Sequence, residues 1–358
     1  MKNIKQNIQD SGTLDSSFYS SKTVFDRSVD QLFVRSWQFI CEDSLLPSSN
    51  SVFPFTLMKN IIPEPLFLVR TEQGIECYSN VCTHRGNLLI DKPCVLKHGI
   101  VCGYHGRRFD MSGQFISMPE TEGMRNFPCE RDNLPQLICN QWNQFIFTSL
   151  EPAFPFDDLF KDVDRRVSWM PIKDFVYRKD LSKEYLIDVN WALYCDNYLE
   201  GFHIPFIHED LNTVLDYKDY DVEVFTYSNL QIGYGKNQNE CFDIPKSSPD
   251  YGKKIAAYYF WLFPNVMLNF YPWGLSMNII TPLSFDKTKV EFRSYVWNEE
   301  LLNIGAGADV NKVELEDQEI ILKVQQGVNS RLYEYGRFSP NMEKGVHHFH
   351  TLIKRFMS

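Results

Sequence analysis

No run of about 18 apolar residues occurs in the 358-residue sequence, so no membrane-spanning helix is expected. The opening segment MKNIKQNIQDSGTLDSS is polar and has no apolar h-region; no secretory signal is read there, and a cytoplasmic setting is expected. Excess positive charge is also missing. The formal net charge is −10, which argues against nucleic acid or an anionic membrane as the main partner. Internal repeats and low-complexity tracts are absent. Cysteine is sparse: nine residues, an odd count, lie scattered through the chain. That excludes a dense disulfide scaffold and leaves reduced thiols, some of them available to metals.

What remains is long enough for two domains and a substantial core. Aromatic residues make up 15% of the chain, enough to pack a core and to line a pocket. Residues 1–34 read as a polar arm followed by a helix over SKTVFDRSVDQLFVRSWQFI, where apolar residues recur near helical spacing. From about 52 the texture changes to short strands. PLFLVRTEQGIECYSNV reads as a hairpin turning at Glu72-Gln73-Gly74, and GRRFDMSGQFISMP as another turning at Ser112-Gly113. This β unit ends near Leu150, and EPAFPFDDLF, with two prolines and two aspartates, reads as a linker. Beyond it, KEYLIDVNWALYCDNYLEGFHIPF begins as a strand and turns helical near Asn190. Aromatic and β-branched strands then run to about residue 300, and helices over EDQEIILKVQQGVNSRL and KGVHHFHTLIKRFM close the chain. The division expected is 1–34, an arm and helix packed on the C-terminal domain; 35–150, a β domain; and 151–358. The class is α+β.

Two stretches carry chemistry. In CTHRGNLLIDKPCVLKHGIVCGYHGRRFD, Cys82-x-His84 is followed after seventeen residues by Cys102-x-x-His105, with Gly86, Gly99, Gly103 and Gly106 around the pairs. Each loop offers one thiolate and one imidazole. A tetrahedral Cys2His2 zinc is chemically possible. A two-iron cluster fits the mixed pairs more directly, because each loop can send one ligand to each iron. A plant-type ferredoxin pattern starting at Cys77 fails, since its next ligand position is Arg85.

The second stretch, CDNYLEGFHIPFIHED, carries Asp196, Glu200, His203 and His208. Offsets of four and three place Asp196, Glu200 and His203 on one helical face. Pro205 should end or distort that helix and let His208 swing toward His203. Two histidines and a carboxylate form the facial triad of non-haem Fe(II) oxygenases. The carboxylate must come from elsewhere: Asp317, at the start of a late helix, is chosen over Glu316 and Glu314 on local sequence.

CTHRGN…CGYHGRRFD resembles the Rieske [2Fe–2S] motif. Together with D-N-Y-x-E-x-x-H-x4-H and the late E-D…Q-x-G, it resembles the alpha, or terminal oxygenase, subunits of Rieske non-haem iron oxygenases from about residue 35 onward. The resemblance implies a Rieske domain followed by a helix-grip catalytic domain, an antiparallel sheet holding a long helix. It implies Cys82 and Cys102 on one cluster iron, His84 and His105 on the other, and His203, His208 and Asp317 on a mononuclear Fe(II). It implies a head-to-tail homotrimer in which Glu200 bridges His203 and a neighbouring subunit's His105. Many ring-hydroxylating members have aspartate where this chain has Glu200; the longer acid resembles the choline, carnitine and betaine monooxygenase branch.

A terminal oxygenase is therefore expected, using O2 and electrons from NAD(P)H. No complete dinucleotide fingerprint is read, since NIGAGADV has Val310 at its third glycine position. A separate flavin-containing reductase, with or without its own ferredoxin domain, is expected instead. The substrate expected is a small quaternary ammonium compound, oxidised or N-dealkylated, with Tyr259, Trp261, Tyr271 and Trp273 available for cation–π contact. Aromatic-ring dihydroxylation and a non-catalytic Rieske electron carrier are the alternatives. Asp196 is expected in a supporting role, and His347, His348 and His350 as structural or solvated.

Overall fold

The computed structural model describes residues 1–208, 221–302, 304–308 and 310–358. Glu209 and Asp210 at the end of the second motif, and Asn303 and Asp309 of NIGAGADV, lie outside the described residues. The chain divides into two compact units: Val34–Pro152, and Met1–Phe33 together with Ala153–Ser358.

The first unit is built on an antiparallel sheet of seven strands. Their spatial order is Gln38–Glu42, Phe145–Ser149, Gln136–Trp142, Ile75–Ser79, Glu64–Arg70, Ser51–Leu57 and Cys94–Val95. The hairpin over 64–79 forms as read, closed by the Thr71 N–H donating to the Gly74 carbonyl at 2.7 Å. The second hairpin forms in a small three-stranded sheet, Ile100–Val101, Arg108–Phe109 and Phe115–Ser117. Asp110 Oδ1 accepts the N–H groups of Ser112 and Gln114 at 2.8 and 2.9 Å, which fixes that turn. Both sheets feed one core, where Val52, Phe67, Val69, Ile100 and Phe109 pack with the side chains of Cys82 and Cys102. The expected helix over 21–40 stops short. Lys22–Ser28 (α2, after α1 at Ser16–Ser20) and a π-type turn at Val29–Phe33 end it. Gln38–Glu42 then joins the sheet, because pairing with Phe145–Ser149 overrides the local periodicity.

The second unit carries an eight-stranded antiparallel sheet. Its main order is Val176–Tyr177, Lys287–Val296, Gly274–Ser284, Val266–Tyr271, Ile255–Leu262, Ser228–Tyr234 and Asp221–Val224, and Lys183–Ile187 also pairs with Lys287–Val296. Besides α1 and α2 of the arm, its helices among the described residues are α3 (Asp157–Val167), α4 (Trp191–Tyr198), α5 (Ile204–Ile207), α6 (Val310–Val328) and α7 (Lys344–Met357). The division between the units falls within the stretch read as a linker, and its part from Ala153 on packs into this unit. Phe154, Phe156 and Phe160 are buried, and Phe154 stacks on Tyr227 at 3.8 Å. Three apolar rings outweigh the turn-forming Pro155 among them. Trp191 of α4 sits among Phe18 and Phe33 of the N-terminal arm and Phe349 of α7. No helix among the described residues is long and apolar enough to cross a membrane.

Candidate metal centres

Within the first unit, two loops of the same construction present Cys82 with His84 and Cys102 with His105. In each, the cysteine N–H donates to the carbonyl five residues on, Asn87 or Arg107, both at 2.8 Å. In each, the glycine N–H four residues on returns to the cysteine carbonyl at 3.0 Å. The return needs a left-handed residue, and Gly86 (φ +73) and Gly106 (φ +70) provide it. Both cysteines are buried and His84 is exposed, so the sulfurs lie in the core and an imidazole at the surface. The two histidine rings are 4.8 Å apart, centroid to centroid. Burial opposes ionisation of the Cys102 thiol, but the Tyr104 and His105 N–H groups, the Cys82 thiol and the Asn87 amide, 3.6 Å from Sγ, together hold it below the usual range.

The donor set fits a cluster better than a single ion. Among the described residues, three ligand atoms close mutually within 4.8 Å at His203, His208 and Asp317, and not among Cys82, His84, Cys102 and His105. One tetrahedral zinc would need them that close. The buried Nδ1 of His105 also has no hydrogen-bond partner, as suits an atom awaiting an inorganic one.

Below the arm and sheet of the second unit, Asn190 starts α4 by accepting the Ala192 N–H at 3.0 Å. The helix ends at Tyr198, so Asp196 does not share a helical face with Glu200 and His203 as the spacing suggested. The reason is a competing cap. Glu200 Oε2 accepts the N–H groups of Phe202 and, at 3.1 Å, His203, which diverts both donors from helix carbonyls. Pro205 sits in the first turn of the separate short helix α5 rather than breaking a longer one. Asp196 faces elsewhere: its carboxylate accepts from Tyr19 Oη at 2.7 Å and from His350 Nε2 at 2.8 Å. His350 Nδ1 in turn accepts the Leu14 N–H at 3.0 Å. Asp196 and His350 thus lock the N-terminal arm onto α4 and α7.

His203 Nδ1 contacts Glu200 Oε1 at 2.6 Å, and His208 Nδ1 contacts Glu316 Oε2 at 2.7 Å. A carboxylate can only accept here, so each imidazole carries a proton on Nδ1 and turns Nε2 inward; a metal in the gap would take the place of the proton that His208 Nε2 shares with Asp317. Those Nε2 atoms lie 3.6 Å (His203) and 3.0 Å (His208) from the same oxygen, Asp317 Oδ1. Asn197 Nδ2 donates to that oxygen at 2.7 Å and orients the carboxylate. Glu316 therefore stands behind His208, and Asp317 faces the gap. Asp317 is not at the start of its helix: α6 begins at Val310, two turns earlier. The three facing donors match the two-histidine, one-carboxylate chemistry of a ferrous site.

A pocket opens above this gap. Tyr194, Tyr198, Gln231, Tyr259, Tyr271 and Glu314 line it, with Asn269 and Asn278 from adjacent strands. Of the four aromatics singled out in the sequence, Tyr259 and Tyr271 reach it. Trp261 packs on Phe263 and Phe349, and Trp273 stacks behind Tyr271 at 5.3 Å. Glu314, 3% exposed, is tied to Tyr194 Oη at 2.5 Å and Gln318 Nε2 at 2.8 Å. Burial pushes its carboxyl up to about 8 against the pull of those two donors. Sequence reasoning missed Asn269, Asn278 and Gln231. The available signal was an amide set in a largely apolar run, lone in VMLNFY and LSMNII and one of two in SNLQIGY.

Residues 36–128 match the Rieske [2Fe–2S] domain, and residues 168–358 match the ring hydroxylating alpha subunit (catalytic domain). The chain is 28% identical to the chloroplastic choline monooxygenase of Arabidopsis thaliana, over 97% of this chain and 83% of that one. It is 26% identical to the carnitine monooxygenase oxygenase subunit of Escherichia coli strain K12, over 98% of this chain and 96% of that one. Its fold matches the structure of a quaternary ammonium Rieske monooxygenase described for carnitine oxidation and inter-subunit electron transfer. The TM-score is 0.76, with 21% identity over 97% of this chain and 96% of that one. The twin Cys/His loops on one unit and the carboxylate-backed histidine pair on the other thus occur in a chain that belongs to the ring-hydroxylating alpha-subunit family, the Rieske oxygenases.

Proposed function

We propose that this chain is the terminal oxygenase of a multicomponent system that monooxygenates a small quaternary ammonium compound. Electrons come from NAD(P)H through a separate flavin-containing reductase. The net reaction is R–H + O2 + 2e⁻ + 2H⁺ → R–OH + H2O; a hydroxylated N-methyl group would then release formaldehyde. Cys82, Cys102, His84 and His105 would hold the [2Fe–2S] cluster, and His203, His208 and Asp317 the mononuclear iron. When bound, these groups supply one-electron transfer and a site for O2 activation.

The protein's own share is orientation and recognition. Glu200 and Glu316 hold protons on Nδ1 of His203 and His208, and Asn197 fixes Asp317. Tyr194, Tyr259 and Tyr271 offer aromatic faces to an alkylated cation. The observation that carries the reading is the convergence of both Nε2 atoms on Asp317 at the floor of this tyrosine-lined pocket. Residues 35–150 and 151–358 would then be the electron-carrying and catalytic domains, with 1–34 packed on the latter. A head-to-tail homotrimer would bring one subunit's His105 to the next subunit's Glu200. The similarity to choline and carnitine monooxygenases supports this substrate class over an aromatic ring.

His208→Ala tests the site. With the reductase supplied, the variant should keep the visible spectrum of the cluster, lose its mononuclear iron by metal analysis, and form no product. Full product formation by that variant, or turnover of benzoate-type but not ammonium substrates by the native chain, would overturn the proposal.

A further inference from the structure

The two Cys/His loops are built alike, and one side chain of the first reaches across to the second. Asn87 closes its own loop through its carbonyl, which accepts the Cys82 N–H at 2.8 Å. Its side chain turns the other way. Asn87 Nδ2 donates to the Leu88 carbonyl at 2.6 Å and lies 3.6 Å from Cys102 Sγ. A carbonyl can only accept, so the bond to Leu88 fixes which end of the amide is nitrogen. That nitrogen carries two hydrogens, one for the carbonyl and one for the sulfur. The greater length of the second bond suits sulfur, a larger atom than oxygen.

Arg107 holds the matching place in the second loop, and its carbonyl accepts the Cys102 N–H at 2.8 Å. Its guanidinium, however, is turned to Asp132 at 2.8 Å. Among the described residues no other side-chain N–H donates to either sulfur. The backbone N–H groups of Tyr104 and His105 also serve Cys102, but almost any sequence would supply those. Asn87 is the donor that depends on the side chain chosen.

Reduction adds one electron to a cluster and makes its sulfur ligands stronger acceptors. A donor aimed at a ligand sulfur therefore favours the reduced form and raises the potential. Resting on the cluster reading above, we infer that Asn87 is a positioning residue that acts through Cys102. Its N–H···S bond raises the reduction potential of the cluster. The reductase then loads the cluster more easily, and the onward transfer keeps less driving force.

The test is a redox titration of the full holoprotein, followed by the circular dichroism of the cluster, without substrate or turnover. Asn87→Leu removes the donor at similar volume. It should shift the equilibrium about tenfold toward the oxidised cluster, a fall of about 59 mV for one electron. Asn87→Asp removes the same donor and adds a negative charge, so its potential should fall at least as far. Thr83→Val controls for a loop that is merely loosened. It deletes the 2.8 Å bond from Thr83 Oγ1 to the Asp132 carbonyl, which touches no sulfur. It should lower the unfolding temperature yet leave the equilibrium within about twofold, or about 18 mV. Asn87→Leu within that margin, or Thr83→Val falling as far as Asn87→Leu, would overturn the inference. If both Asn87 variants lose the cluster, the native protein decides. Asparagine labelled with nitrogen-15 at Nδ2 should couple weakly to the unpaired electron of the reduced cluster, and absence of that coupling would overturn the inference. A native chain with no Rieske spectrum would overturn the cluster reading itself.

Discussion

Asp132→Ala should destabilise the cluster-carrying unit by about 3 kcal/mol, because it strands a buried cation. Arg107 is 2% exposed, and its Nη2 donates to Asp132 Oδ1 at 2.8 Å and to the Asp132 carbonyl at 3.0 Å. Asp132 Oδ2 accepts the Cys129 N–H at 2.8 Å. The Asp132 carbonyl also accepts Thr83 Oγ1 at 2.8 Å, so this residue joins the two ligand-bearing loops. Partial burial raises the Asp132 carboxyl, yet Arg107 and the Cys129 N–H outweigh it and hold the group below its ordinary value. Removing one partner of a buried pair costs about 3–5 kcal/mol. The guanidinium keeps Phe115 at 4.5 Å and Phe127 at 5.6 Å, and such contacts are worth about 0.5–2 kcal/mol each way, which favours the lower figure. A domain has only about 5–15 kcal/mol to lose, and about 3 kcal/mol corresponds to a fall of roughly 10 °C or more in Tm. The assay is thermal unfolding of the full chain, followed by the visible absorbance of the cluster. Replacing both charges, Arg107→Met with Asp132→Leu, should recover most of the loss, since no charge is then buried. A single variant within about 0.5 kcal/mol of native, or a double variant as unstable as the two singles summed, would refute the reasoning.

Glu200→Gln should weaken ferrous iron binding by about 10–100-fold, because one amide oxygen replaces the two carboxylate oxygens that hold His203 Nδ1 and the 202–203 backbone. Chelator competition measures it, and an unchanged affinity counts against an orienting role; with iron saturating, single-turnover oxidation of the cluster should still be slowed. Asp250→Asn should cost about 3–5 kcal/mol at pH 7. Asp250 is fully buried and accepts from Arg166 Nη1 at 2.6 Å, Lys253 Nζ at 2.8 Å and Tyr258 Oη at 3.0 Å. Burial raises its carboxyl, but Lys253 and Arg166 outweigh that and hold it below its ordinary value. A depressed folded pKa gives stability that is present above the unfolded value of about 4 and lost as pH falls through the folded one. The gap between native and variant in urea unfolding should therefore close below about pH 4; a gap independent of pH would disprove the charge argument.

Much of the fold could be read from the sequence where local rules govern. Both short hairpins form at the turns read from Gly74 and Gly113, since turn chemistry is settled within a few residues. The helix expected over 21–40 failed because Gln38–Glu42 has a partner more than a hundred residues away, at Phe145–Ser149. EPAFPFDDLF does hold the boundary between the two units, at Pro152/Ala153, but only its start is a connector: its prolines are visible locally, whereas the surfaces that bury Phe154 and Phe160 are not.

The same division separates the proposed ligands from the residues that position them. Cys82, His84, Cys102 and His105 sit on loops closed by their own backbone, so spacing alone brought them forward. His203 and His208 are five residues apart and equally visible. The choice between Glu316 and Asp317 is a matter of which side chain meets which nitrogen of His208. Adjacent positions on α6 diverge, one reaching Nδ1 and the other Nε2. No local pattern encodes that, because it depends on how α6 meets α5. Arg107 with Asp132, Tyr19 with Asp196 and His350, and Gln231 with the Tyr198 carbonyl are likewise pairings across 25 to 331 residues. The metal-capable side chains of this chain are thus written locally, while their control, orienting the histidines and shaping the pocket, is written in contacts that exist only once the chain has folded.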